Sequence, residues 1–209
     1  MPTRLLVRLA AIGLACLPIA SAPVLAQRGD QAARWRDVAT ERDRQRLREW
    51  RSSWIEALRE ARTAGHGGEI QREGVLLDPD AAELAPIPPV GDYRCRTIKV
   101  GGQGDLLDYV AYPAFRCRIR PERGGRLSFV KLTGSQRPIG TIYPDGPRRM
   151  IFLGSLQLGD ERRSLRYGAD EERDMAAIVE RVGNRRWRMV FPRPTFESIV
   201  DVIELVPVR

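Results

Sequence analysis

Phe115-Arg116-Cys117-Arg118-Ile119-Arg120 alternates apolar and charged side chains without a break, and Trp187, Met189 and Phe191 alternate in the same way with Arg186 and Arg188. A period of two sends successive side chains to opposite faces of an extended chain, so each run reads as a strand with one buried and one wet face. The reading extends outward to residues 93–100, 126–132, 139–143, 150–158, 164–167, 176–182 and 199–206. Turn signals fall between these runs at Gly101-Gly102, Gly124-Gly125, Asp145-Gly146, Gly159-Asp160, Gly183-Asn184 and Pro192 to Pro194. About eight or nine short strands with no long helix between them predict a mainly β fold. An antiparallel up-and-down barrel is expected, or a sandwich of similar strand count.

Upstream of this region the period changes. Leu47, Trp50, Trp54, Leu58 and Ala61 recur at intervals of three and four, the spacing of one face of an α-helix. Trp35 and Val38 begin a weaker form of the same stripe, and Gly65, Gly67 and Gly68 end it. An amphipathic helix is therefore expected ahead of the β region, with its apolar stripe docked on it. Residues 69–90 are acidic and carry Pro79, Pro86, Pro88 and Pro89, which reads as a connector with one helical turn near residues 81–84.

The first residues read as an address. Arg4 and Arg8 precede an apolar run from Leu9 to Ala20, and Val24-Leu25-Ala26 supplies small residues where a signal peptidase cuts. The run is too short to cross a bilayer as a helix, and Pro18 and Pro23 interrupt it. Cleavage near Ala26 into a periplasmic or secreted protein is expected. Lipidation through Cys16 is disfavoured because Gly13-Leu14-Ala15 lacks the aliphatic residue wanted three positions before that cysteine. The expected organisation is a signal peptide over 1–26, a helical arm over 27–66, a Pro-rich acidic connector over 67–90 and a β domain over 91–209. Past Ala26 only Cys95 and Cys117 remain, and in an oxidising compartment such a pair reads as a disulfide, with two buried thiols as the alternative.

The chain has 209 residues and 35 basic against 27 acidic side chains, and only Lys99 and Lys131 among the basic ones are lysine. Export and the interleaving of arginines with acids argue against nucleic acid as the partner. An anionic envelope component suits a basic exported protein better. His66 is the sole histidine, so a zinc site of His and Cys ligands and a Ser-His-Asp triad both lack their parts. No cofactor is indicated. A Ser-Lys pair could use Ser135 with Lys131 or Lys99, though a turn serine and a strand lysine explain the same spacing. Glu197 and Asp201, an even interval apart, would share a strand face, whereas Asp201 and Glu204 would not. The strongest candidate binding motif is Lys131-Leu132-Thr133-Gly134-Ser135-Gln136-Arg137-Pro138, where Ser135, Gln136 and Arg137 collect hydroxyl, amide and guanidinium donors at a turn. Its structural alternative is a turn in which Arg137 pairs with Glu161 or Glu197.

Several stretches resemble an uncharacterised family of exported bacterial proteins, domain of unknown function 4893: WRSSWIEAL from Trp50, GDYRCR from Gly91, FRCRI from Phe115, KLTGSQRP from Lys131, FLGSLQLGDE from Phe152 and RWRMVFPRPTFESIVDVIELVP from Arg186. That resemblance implies an identity without an activity. Gly91-x-Tyr93 also resembles the Gly-x-Trp opening of lipocalins, which adds to the barrel expectation. The resulting expectation is a non-enzymatic binding or interaction module. Its occupant is a small apolar or amphipathic ligand, an anionic envelope component or a protein partner. A hydrolase or lyase using carboxylates and Arg137 at the barrel opening is the alternative.

Overall fold

A computed structural model describes residues 34–102 and 108–208, all within one compact unit, Gln31–Arg209. The expected signal peptide, its cleavage site, Cys16, and Gln103 with Gly104 lie outside the described residues. Four helices come first: α1 Trp35–Val38, α2 Glu41–Arg48, α3 Trp50–Thr63 and α4 Gly67–Glu73, followed by a 3-10 turn over Gly74–Leu76. The strands are β1 Gly91–Gly102, β2 Tyr109–Ala111, β3 Phe115–Pro121, β4 Leu127–Lys131, β5 Gln136–Pro144, β6 Arg149–Leu158, β7 Asp174–Gly183, β8 Arg186–Pro192 and β9 Ser198–Pro207.

Every pairing is antiparallel, and consecutive strands from β3 to β9 are neighbours. β1 pairs with both β3 and β9, which closes eight strands into an up-and-down barrel, while β2 adds to the far end of β1. Closure leaves no free edge on those eight strands, the arrangement by which antiparallel sheets avoid uncontrolled pairing. The inward positions of the alternation form one core. Phe129, Phe152 and Phe191 meet edge to face across it, with ring centroids 5.8 and 5.7 Å apart, and Tyr93, Ile119, Met150, Trp187, Met189 and Leu205 fill the space around them. The barrel interior is thus packed with side chains. Gly140 and Gly154 face each other across β5 and β6, where a Cβ on either would collide with the opposite backbone, so these strands can coil tightly there.

Cys95 and Cys117 form a disulfide inside this core, linking β1 to β3 with Cα atoms 5.9 Å apart. Both sulfur-bearing residues are buried, and Tyr93 lies opposite Cys117 while Cys95 lies opposite Phe115.

A second core lies outside the barrel. The stripe Leu47, Trp54, Leu58 and Ala61 is buried against Ile98, Val100, Val190, Val200 and Val202, the outward side chains of β1, β8 and β9. The helical arm therefore docks as its periodicity predicts. α3 sits so close to β1 that a Cβ on Gly101, whose φ is +71°, would lie 2.9 Å from the Ala57 Cα.

Four details differ from the sequence reading. Gly65 does end α3, with φ of +97°, but the chain then starts α4 at Gly67, inside the stretch expected to be connector. Residues 81–84 make no helical turn, because Glu83 instead bridges to Arg181, its N–H donating to the Arg181 carbonyl at 2.9 Å. Residues 164–167 are not a strand: the Tyr167 hydroxyl donates to Asp43 Oδ2 at 2.7 Å and accepts from the Thr40 N–H at 3.1 Å, tying this loop to the start of α2. Arg188, expected on a wet face, is fully buried, because the helical layer covers the outer face of β8.

Candidate functional site

The KLTGSQRP motif spans the turn from β4 to β5. Its Arg137 turns back onto the chain. Nη1 donates to the carbonyls of Gly134 at 3.0 Å and Gly159 at 3.4 Å, and Nη2 to those of Leu158 at 2.8 Å and Glu161 at 3.2 Å. One guanidinium thus closes two turns by satisfying four backbone acceptors. Arg137 meets the backbone of Glu161, whereas the Glu161 carboxylate accepts from the Leu158 N–H at 2.8 Å and pairs with Arg173 at 2.9 Å. Those two donors hold the Glu161 carboxyl below its usual range. Ser135 is exposed at the apex of the turn.

Gln136 and Glu197 part from that group and meet at the end of the barrel. Gln136 Nε2 donates to Glu197 Oε1 at 3.3 Å, and Glu197 and Asp201 both grip Lys99, at 3.1 and 3.0 Å from Nζ. Burial works against the charge on Lys99, yet the two carboxylates outweigh it and raise its pKa. Glu197 precedes β9 with a φ of +75°, so it reaches Lys99 beside Asp201 through the turn before the strand and not through strand parity, while Glu204 turns outward to Arg96 and Arg186 at 3.1 and 2.6 Å.

Lys131 faces the same end. It is 5% exposed, and its Nζ lies 4.0 Å above the Phe115 ring and 3.4 Å from Thr97 Oγ1. Burial, reinforced by Lys99, pulls its pKa down to about 8. The two lysines of the chain therefore share one barrel end with opposite electrostatic fates. Spacing along the chain relates each lysine to Ser135 and not to the other. The signal was present, since they are the only two lysines beside so many arginines.

Next to this polar end lies a cavity of about 30 Å³ at the rim, lined by Lys99, Gln136, Asp201, Phe191, Phe196 and Asp174 among others. Asp174 is 4% exposed, accepts the Gly168 N–H on Oδ1 at 2.8 Å, and has no hydrogen-bond partner on Oδ2 among the described residues. Burial raises its pKa. Nothing in the local sequence around Asp174 marks it; its setting comes from β7, α2 and the loop at Gly168 converging.

A larger groove of about 370 Å³ runs between the helical arm and the outer wall of β6 and β7. Leu47, Trp50, Ile151 and Ile178 give it apolar surface, and Arg36, Arg44, Arg48 and Arg149 surround it. Two carboxylates serve these four cations. Asp145 accepts from Arg36 at 3.0 Å and Arg149 at 2.7 Å, and Glu41 accepts from Arg44 at 3.0 Å and Arg48 at 3.1 Å. Asp145 also takes the indole N–H of Trp35 at 2.5 Å. Four cations against two carboxylates leave the groove a net positive charge, and the Arg36 and Arg48 side chains are more than half exposed.

These features define a closed eight-stranded antiparallel barrel with a filled core, a helical layer on its outer wall and polar sites at its end and flank. The model of the family described as Domain of unknown function (DUF4893) matches residues 35–205, and the chain belongs to that family. No curated protein and no solved structure matches it.

Proposed function

We propose that this chain is an exported, non-enzymatic binding module of the bacterial cell envelope, and that the barrel acts as a rigid support for its surface. The occupant we assign to the arginine groove is an anionic amphiphile, its phosphate or carboxylate head among Arg36, Arg44, Arg48 and Arg149 and its first methylenes on Leu47, Trp50 and Ile151. The observation that carries this reading is the sharing of two carboxylates among four arginines around an apolar floor. A basic surface with aromatic and aliphatic contacts suits such a ligand by charge and by buried area. Packing of the barrel interior favours a surface site over carriage of a ligand inside the barrel. The hydrolase or lyase alternative is weakened by the engagement of Arg137 with four carbonyls.

The test is binding of the full chain to vesicles of phosphatidylglycerol in phosphatidylcholine, against phosphatidylcholine alone, over a salt series. Binding to the anionic vesicles that weakens with salt and drops when the exposed Arg36 and Arg48 are both replaced by Ala is the expected result. Binding indifferent to salt, or unchanged in the double variant, would overturn the assignment.

A further inference from the structure

The rim cavity beside the barrel end differs in character from the rest of this basic protein. Its lining carries two cations, Arg46 and Lys99, and three carboxylates, Glu172, Asp174 and Asp201. Both cations are already engaged. Arg46 pairs with Asp43 at 3.0 Å, and Lys99 with Glu197 and Asp201 at 3.1 and 3.0 Å. The local balance is therefore negative in a chain whose formal net charge is +8.

Two independent features say what kind of group the cavity suits. Asp174 lines it and holds a buried carboxylate oxygen, Oδ2, with no hydrogen-bond donor among the described residues. A buried carboxylate oxygen without a donor is costly, so the site is complementary to a group that brings an N–H and a positive charge. Phe191 and Phe196 also line the cavity and give its wall apolar surface for the methylenes of such a group. About 30 Å³ accommodates one small head group, since roughly 10–15 Å³ of such space is enough for a water molecule. Phe196 is 39% exposed, so the stem of a ligand can leave the cavity along it into solvent.

We infer that this cavity is a binding site for the protonated amino group of a small primary amine, held by Asp174 between walls that include Phe191 and Phe196. The site is separate from the arginine groove and selects the opposite charge. It therefore stands or falls independently of the envelope-binding reading.

The experiment uses the full chain with 1-butylammonium chloride as probe and sodium chloride at matched ionic strength as control, followed by amide chemical shifts. Saturable shifts confined to residues 168–176 and 191–201, with Kd on the order of 1 mM for so small a ligand, are expected. Asp174→Asn, which keeps an oxygen for the Gly168 N–H, should weaken binding roughly tenfold. Phe196→Ala, at an exposed position, should weaken it as well and serves if Asp174→Asn fails to fold. A comparison of 1,4-diaminobutane with O-phosphoethanolamine separates a free diamine from a lipid head group as the better source of the amine. Shifts equal to those from sodium chloride, or binding undiminished in Phe196→Ala and in a folded Asp174→Asn, would overturn the site, leaving a cavity for water only.

Discussion

The guanidinium of Arg188 lies over the indole of Trp54, 4.4 Å from the ring centroid, at the centre of the interface between helical arm and barrel. Its Nε donates to Glu180 at 2.8 Å, and Nη1 donates to the carbonyls of Val75, Leu76 and Asp78 at 2.9, 3.0 and 2.7 Å. A fully buried arginine thus joins α3, the 3-10 turn after α4, and strands β7 and β8 through one planar group. Replacing it leaves Glu180, which is 3% exposed, as an uncompensated buried charge and three carbonyls without this donor. Arg188→Ala should therefore cost about 3–5 kcal/mol. Arg188→Lys, lacking the planar fork, should recover only part of that. Urea unfolding midpoints of the variants, with Glu180→Gln as the second arm of a double-mutant cycle, check both statements. An Arg188→Ala protein within 1 kcal/mol of the parent would show that the joint is dispensable.

Lys131 predicts a pH dependence of unusual sign for a lysine. Its folded pKa of about 8 lies below the ordinary 10.5, so between those values the unfolded chain holds a proton that the folded chain has released. Stability should therefore rise with pH from about 8 toward 10. Lys99, Asp201 and Arg137 are the charged groups acting on it, and the raised pKa values of Lys99, Tyr93, Tyr109 and Tyr167 impose the opposite slope only at still higher pH. Lys131→Met should flatten the rise and, near neutral pH, be more stable than the parent by up to about 3 kcal/mol. Chemical denaturation at a series of pH values measures both.

The Cys95–Cys117 bridge closes a loop with a sequence separation of 22, which corresponds to about 3 kcal/mol on the chain-entropy estimate. The double variant Cys95→Ala, Cys117→Ala should lose about that much, along with some packing, since both positions are buried in the barrel core. Thermal melts with and without a strong reductant should separate for the parent and coincide for the double variant.

Arg137→Ala removes the donor for four carbonyls and should destabilise the protein by roughly 1–3 kcal/mol. Because the residue closes turns in the structure, the vesicle binding of the folded variant should match that of the parent. A variant of unchanged stability that loses binding would restore the motif as a recognition element.

Much of the architecture is written in short-range patterns. The period-two runs at Phe115 and Trp187, with glycine and proline turns between strands, foretell antiparallel strands in meander order, and the stripe from Leu47 to Ala61 foretells the docked helix. β2 escapes notice because a three-residue strand, Tyr109–Ala111, is too short to show a period. The candidate site is legible only in part. Glu197 and Asp201 meet on Lys99 with Gln136 beside them, but Glu197 lies before the strand with a φ of +75°, so its spacing from Asp201 does not explain the contact, and Arg137 and Glu161 belong to turn structure.

What the amino-acid sequence determines by itself is which side chains share a face, because that depends on backbone geometry over a few residues. Whether a face meets water, a helix or the closed interior of a barrel depends on partners far away along the chain. Arg186 and Arg188 sit on the same outward face of one strand, yet Arg186 is half-buried with Glu204 while Arg188 is sealed beneath Trp54. Lys99 and Lys131 are the same residue type in similar strands, yet closure of β1 on β9 puts carboxylates beside one, and the pairing of β3 with β4 puts an aromatic ring beneath the other. Periodicity assigns direction; tertiary structure assigns the medium, and the medium decides which charges are solvated, which are joints and which are poised to bind.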